Sequence, residues 1–323
     1  LARDYTIHAP DNVGERFSNT TELLELAERL SDPVLASRAL CLRFKAAMEL
    51  VDVAEAERCL ARNRALVPDL GQPALTWATL HHRAALCVMR GEAGAEAAVT
   101  AASELGASAV RDIAILRFSQ LFSLYLEQGR VAELEEIARQ ASVRSDLPLV
   151  RTAMALILVE TGRHEAAAAL FDEVAATGFA HPTNNVGWLL FAAECTWLCA
   201  RLGRADCVPG LRSRLEPYAD QLVVASFAGW VLGSVSLHLA LLCRTGGDFD
   251  AAAAYFAAAA ATHERIGARP WLARTHLEWA RMLLTRADPG DRHRADELLG
   301  QALATAQQLR LPQIEREASQ LRP

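Results

Sequence analysis

The chain has 323 residues, more than the ~250–300 at which one compact core stops growing, so either two domains or an array that lengthens by stacking is expected. Hydrophobic residues make up 52% and charged residues 22%, which excludes a disordered chain. The net charge of −6 leaves no electrostatic footprint for nucleic acid, and no direct nucleic-acid contact is expected.

Read in chain order, helical periodicity runs from end to end. The chain opens at Leu1 rather than Met, and "LARDYTIHA" reads as the end of an interrupted helix, so a fragment of a longer protein is expected. No signal peptide is expected. Lys45 is the only lysine among 33 basic residues, which reads as a high-GC genome. Similar punctuation recurs at "VMRGEAG", "LEQGRVAEL", "VETGRHEAAAAL", "ARLGRADC" and "CRTGGDFDAAAAYF", with the glycines 38, 33, 41 and 43 residues apart. "MELVDVAEAE" and "RADPGDRHRADELL" extend the series without the same tight turn. A near-fixed period of this size marks a helical repeat array. Each unit reads as helix A, a short turn, helix B and a longer turn. Helix A is expected at 33–50, 73–90, 108–128, 147–161, 184–202, 227–245 and 269–286. Helix B is expected at 53–66, 92–105, 131–143, 164–177, 204–216, 249–266 and 291–309. The units are then 33–67, 73–105, 108–144, 147–177, 184–216, 227–266 and 269–309. Asp32-Pro33 supplies an N-cap and a first-turn proline. Gly106, Gly178 and Gly267 stand where helix B stops, where a left-handed residue is common.

"LVVASFAGWVLGSVSLHLALLC", residues 222–243, has the length of a membrane span, but His238 and three serines interrupt it. A buried helix is the preferred reading, and no membrane contact is expected. In the alanine-rich helix B that follows, Ala252, Phe256 and Ala259 share one face, small residues admitting helix A and Phe256 filling the gap to the next unit. Ala167 and Phe171 repeat that arrangement.

This pattern of a glycine turn followed by aromatic and alanine positions resembles tetratricopeptide (TPR) repeats, although the mean spacing exceeds the usual ~34 residues. Residues 259–312, "AAATHERIGARPWLARTHLEWARMLLTRADPGDRHRADELLGQALATAQQLRLP", resemble the C-terminal helical region of large bacterial signalling ATPases. These are the ATP-dependent LuxR-type (STAND) transcription activators and the actinobacterial adenylate cyclases linked to an AAA-type ATPase. The resemblance implies an all-α, TPR-like solenoid, a right-handed superhelix of about seven antiparallel helix pairs, forming one repeat domain over 1–323. It also implies a sensor or docking role beside a neighbouring ATPase domain. Neither a GxxxxGK[ST] phosphate loop nor a helix-turn-helix is present, so ATPase and DNA-binding activities do not carry over.

No catalytic constellation stands out, and neither cofactor nor metal is expected. The seven scattered cysteines sit in apolar helical context, as reduced cytosolic thiols do, and the cytoplasm is the expected compartment. Cys195 and Cys199, with Cys207 nearby, have a metal-ligand spacing, yet the repeat register places the first two against helix B. His81 and His82 are adjacent and point apart; "HEAAA" at His164 lacks the second histidine of a zincin; Gly233-Ser234-Val235-Ser236 lies mid-helix without a nucleophile elbow's strand. The candidate binding surface is the concave face lined by helix A: His81, Ser119, Ser123, Glu127, Thr152, Glu160, Trp197, Arg201, Ser234, Arg244, Arg274 and Arg281. Its four arginines suit a carboxylate or phosphate, or else complement helix C-termini. The other tryptophans, at 77, 188, 230, 271 and 279, read as packing residues. The function expected is a non-catalytic sensor or docking domain binding a protein partner or small effector in the concave groove. The alternative is an architectural scaffold that holds an ATPase or cyclase assembly together, for example as a homodimer.

Overall fold

The computed structural model describes residues 9–110, 113–144, 147–180, 187–225 and 227–322. The expected helix end at "LARDYTIHA" lies almost wholly outside them. The fold is all-α: sixteen α-helices and one two-stranded sheet among the described residues. The first eight are α1 (Val13–Arg29), α2 (Pro33–Glu49), α3 (Val53–Leu66), α4 (Pro73–Arg90), α5 (Ala95–Gly106), α6 (Ile113–Gln128), α7 (Glu135–Arg144) and α8 (Pro148–Glu160). They are followed by α9 (His164–Ala176), α10 (Trp188–Leu202), α11 (Val208–Leu215), β1 (Leu222–Ala225), β2 (Trp230–Ser234) and α12 (Val235–Thr245). The chain closes with α13 (Phe249–Arg265), α14 (Arg269–Arg286), α15 (Asp291–Leu309) and α16 (Pro312–Leu321).

Local chemistry explains the boundaries. Pro33, Pro73, Pro148 and Pro312 each open a helix, where the missing N–H costs nothing. Asp32, Asp52 and Asp248 cap α2, α3 and α13 by accepting the N–H of Leu35, Glu55 and Ala251. The two units that lack a turn glycine make the same turn: Val51 and Ala287 take left-handed φ values of 63° and 58°. Gly106 differs from expectation. It does not adopt a left-handed conformation; instead a Cβ there would meet Ile113 and Trp77 at 2.6–2.7 Å.

One expected helix is only half present. In place of a helix over 227–245, β1 and β2 form an antiparallel hairpin, pairing Val224 with Val231 and Ala225 with Trp230, and α12 begins only at Val235. Both strands are buried along their whole length, so they show the continuous apolar run of a buried helix rather than the alternation of a half-exposed strand. No helix of the described residues is long and apolar enough to cross a membrane. Two helices, α1 and α16, lie outside the expected set.

Helices adjacent in sequence pack on one another, and the even-numbered ones form an inner layer, α2 on α4, α4 on α6, α8 on α10, α10 on α12, α12 on α14 and α14 on α16. Outer helices bury a single stripe. On α13 it consists of Ala252, Phe256, Ala259 and His263, with Phe256 stacked 6.2 Å from the Trp279 ring of α14. The inner layer then meets itself: α14 touches α4, and α16 touches α6. The hairpin fills the remaining inner space, packing on α2, α4, α6 and α10.

Candidate functional site

The face expected to form an open groove is filled by the chain itself. His81, Ser119, Ser123, Thr152, Trp197, Ser234 and Arg274 are buried, and only Arg201, Arg244 and Arg281 keep partial side-chain exposure, at 21%, 13% and 27%. The physical reason is that two elements not read from the sequence, the hairpin and α16, lie on that face.

Around the hairpin, the polar positions of the inner helices satisfy its backbone. Ser123 donates to the Val231 carbonyl at 3.2 Å and accepts from the Trp230 indole N–H at 2.7 Å. His82 stacks on Phe44 and donates Nε2–H to the Phe227 carbonyl at 3.0 Å. His81 stacks on Trp77, and its ring is so close to Gly229 that a Cβ there would lie 1.9 Å from Nε2. Ser234, expected in mid-helix, ends β2 and caps α12; its N–H donates to His263 Nε2 at 2.9 Å, while His263 Nδ1–H donates to Thr275. Ser119 donates back to the Ile115 carbonyl, and Thr152 faces the buried Glu194 carboxyl.

The remaining candidates converge. Trp197 and Arg201 on α10, Arg244 on α12, and Arg274 and Arg281 on α14 meet the carboxylates of Glu127, Glu160 and Glu278, and also Glu317 on α16. Arg274, fully buried, donates Nε–H to Glu127 at 3.1 Å and Nη1–H to Glu317 at 2.9 Å. Arg281 bridges Glu278 at 2.7 Å and Glu317 at 2.8 Å. Arg201 donates to Glu160 at 2.9 Å and reaches Glu317 at 3.4 Å, while Arg244 pairs with Glu278. Four guanidinium groups thus balance four carboxylates. Burial pushes the Glu317 carboxyl up, but Arg274, Arg201 and Arg281 outweigh it and hold it well below the usual carboxylate range. Glu278 follows the same logic, with Arg281, Arg244, Arg201 and Arg274 outweighing its burial. Glu317 was missed in the sequence. A signal was present: Pro312 opens a helix in which Ile314, Glu317, Ala318 and Leu321 fall on one face.

Among the described residues no group of three or more His, Cys, Asp or Glu side chains is placed to hold a metal ion. Cys195 and Cys199 are both buried, and burial pushes the Cys199 thiol up to about 12. Compared with models of known protein families and with curated proteins, the chain matches none.

Proposed function

We propose that the chain is a non-catalytic docking and sensing domain of a bacterial signalling or transcription regulator, a TPR-like repeat array whose inner face receives an acidic helix. One observation carries this reading: α16 lies against α6 and α14 with Glu317 held by Arg201, Arg274 and Arg281. Three guanidinium groups from two helices around one helix-borne carboxylate make a receptor for a carboxylate-bearing helix. A partner helix of the same kind exchanges with α16 at this seat. Burial raises the thiols of Cys41 and Cys59 to about 12 and leaves His82 and His263 neutral, each hydrogen-bonded within the fold. The regulator context and the neighbouring ATPase domain rest on the resemblance of residues 259–312 alone.

The test uses the full chain carrying Glu317→Gln, which loosens α16 without removing it, and a fluorescent peptide with the sequence of residues 310–322. The peptide is expected to bind this chain more tightly than the wild type, and the same peptide with Glu317→Gln to bind neither. No binding of the Glu317-bearing peptide to the loosened chain sinks the docking reading. The filled inner face itself favours a second reading, an architectural scaffold. Concentration-dependent dimerisation by light scattering, without peptide exchange, decides for it.

A further inference from the structure

A cleft of about 410 Å³ opens to solvent between α2 and α4, sharing no residue with the ionic cluster. Its α2 wall carries Arg38, Cys41, Leu42 and Lys45, which fall at i, i+3, i+4 and i+7 and so share one face. Trp77 and Ala78 line it from α4. Cys41, Leu42 and Ala78 are only half-buried, so the floor is reached from outside. The lining is mostly apolar, and its described part holds no carboxylate, although the chain as a whole is acidic. Of its two cationic residues, Lys45 is engaged by Glu49. Arg38 is exposed, and among the described residues nothing pairs with it.

The end of the cleft away from Arg38 is formed by the hairpin tip. His82 stacks on Phe44 of α2 and holds the Phe227 carbonyl, which brings Phe227 to a level about 9 Å along α2 from Arg38, at ~1.5 Å per residue. Phe227 and Ala228 have φ values of 57° and 64°. Two successive left-handed residues suit a tight hairpin turn, where Asn-Gly is unstrained and a bulky residue is not. Phe227 gains no compensating burial, since it remains 54% exposed. Hairpin formation alone calls for neither the strain nor the exposed ring, and strain of this kind collects where a ligand is held. An exposed phenylalanine or a solvated arginine is ordinary by itself. Here the two bracket one apolar cleft whose described lining holds no acid.

We propose that this cleft binds a small aromatic carboxylate, its carboxylate on Arg38 and its ring against Phe227 and Trp77. The single available guanidinium sets the charge: a phosphate dianion would leave one charge uncompensated beside apolar walls. The spacing sets the length, with ring and carboxylate at opposite ends of a molecule about 10 Å long. The volume lies within the ~300–1,000 Å³ of small-molecule sites. The inference goes beyond the docking reading and does not rest on it.

Titration calorimetry of the full chain at pH 7 with 4-phenylbutanoate tests it. Saturable one-to-one binding is expected. The same ring and chain with the opposite charge, 4-phenylbutylammonium, should bind at least tenfold more weakly, as should butanoate, which lacks the ring. Arg38→Glu, at an exposed position without a partner, should weaken 4-phenylbutanoate binding at least tenfold and leave the helical signal by circular dichroism unchanged. Phe227→Asn suits the left-handed turn and removes the ring. It should raise the thermal midpoint while weakening binding at least fivefold; a lowered midpoint would show that the ring serves the fold and overturns the assignment. No saturable binding to the wild type, equal binding of the ammonium compound, or undiminished binding to either folded variant also overturns the proposal.

Discussion

Four histidines, at 82, 238, 263 and 276, are held neutral by burial, with their pKa values lowered from 6.5 to about 3, 4, 3 and 4. In the unfolded chain each takes up a proton near 6.5, so below that pH the unfolded state binds more protons than the folded one. Stability therefore falls as pH drops from 6.5 towards 3–4, by about 1.4 kcal/mol per pH unit for each histidine, and their full contribution is present above 6.5. Urea denaturation followed between pH 7.5 and 5 is expected to show this slope. His82→Phe, which keeps the ring against Phe44, should reduce it by one histidine's share. A profile flat across that range would show that the rings are accessible to protons in the native state. None of this was legible residue by residue. Arg274 and Glu127 lie 147 positions apart, and no local spacing announces such a pair.

At the scale of the element, two of the turns that follow inner helices carry strain, those at Val51 and Ala287, where the others use glycine. Ala287 is exposed and left-handed, a conformation that costs an L-residue ~1–2 kcal/mol. Ala287→Gly relieves it at some cost in unfolded-state entropy, with an expected net gain of about 0.5–1 kcal/mol. Val51 has the same φ sign but belongs to the core, so Val51→Gly should lose more in packing than it gains. Thermal denaturation of both variants checks the opposite signs. The same scale shows what sequence reading could reach. Glycine and proline punctuation located the helices because turns impose local conformational demands. It failed at residues 222–234, because strands buried on both faces lose the alternation that identifies them. The signal available there was a set of β-branched and aromatic residues flanking "FAG", where Phe227 and Ala228 are left-handed and Gly229 admits His81. Likewise the polar inner positions were legible from the register, but their occupants were not, because those come from distant parts of the chain.

For the whole molecule, the pair Arg274–Glu127 ties the last inner helices to the first ones. Such a pair adds little net stability over an apolar substitute, yet breaking it leaves a buried charge and costs ~3–5 kcal/mol. Arg274→Met and Glu127→Gln should each be strongly destabilising in urea, and the double variant should cost well under the sum. Additivity within ~0.5 kcal/mol would mean that the two groups do not act as a unit. Specificity of closure, more than strength, is what the cluster supplies: four positive and four negative groups fit one another only when α6, α8, α10, α12, α14 and α16 are all in place.

Lys45 has a consequence of a different kind. The sole lysine of the chain is buried beside Arg16, both ion-paired to Glu49 where α1 packs on α2. The folded surface therefore offers no lysine amine to acylating reagents. Chemical labelling at this one position becomes a clock for the opening of α1 from α2, with a single reactive atom reporting on a single seam.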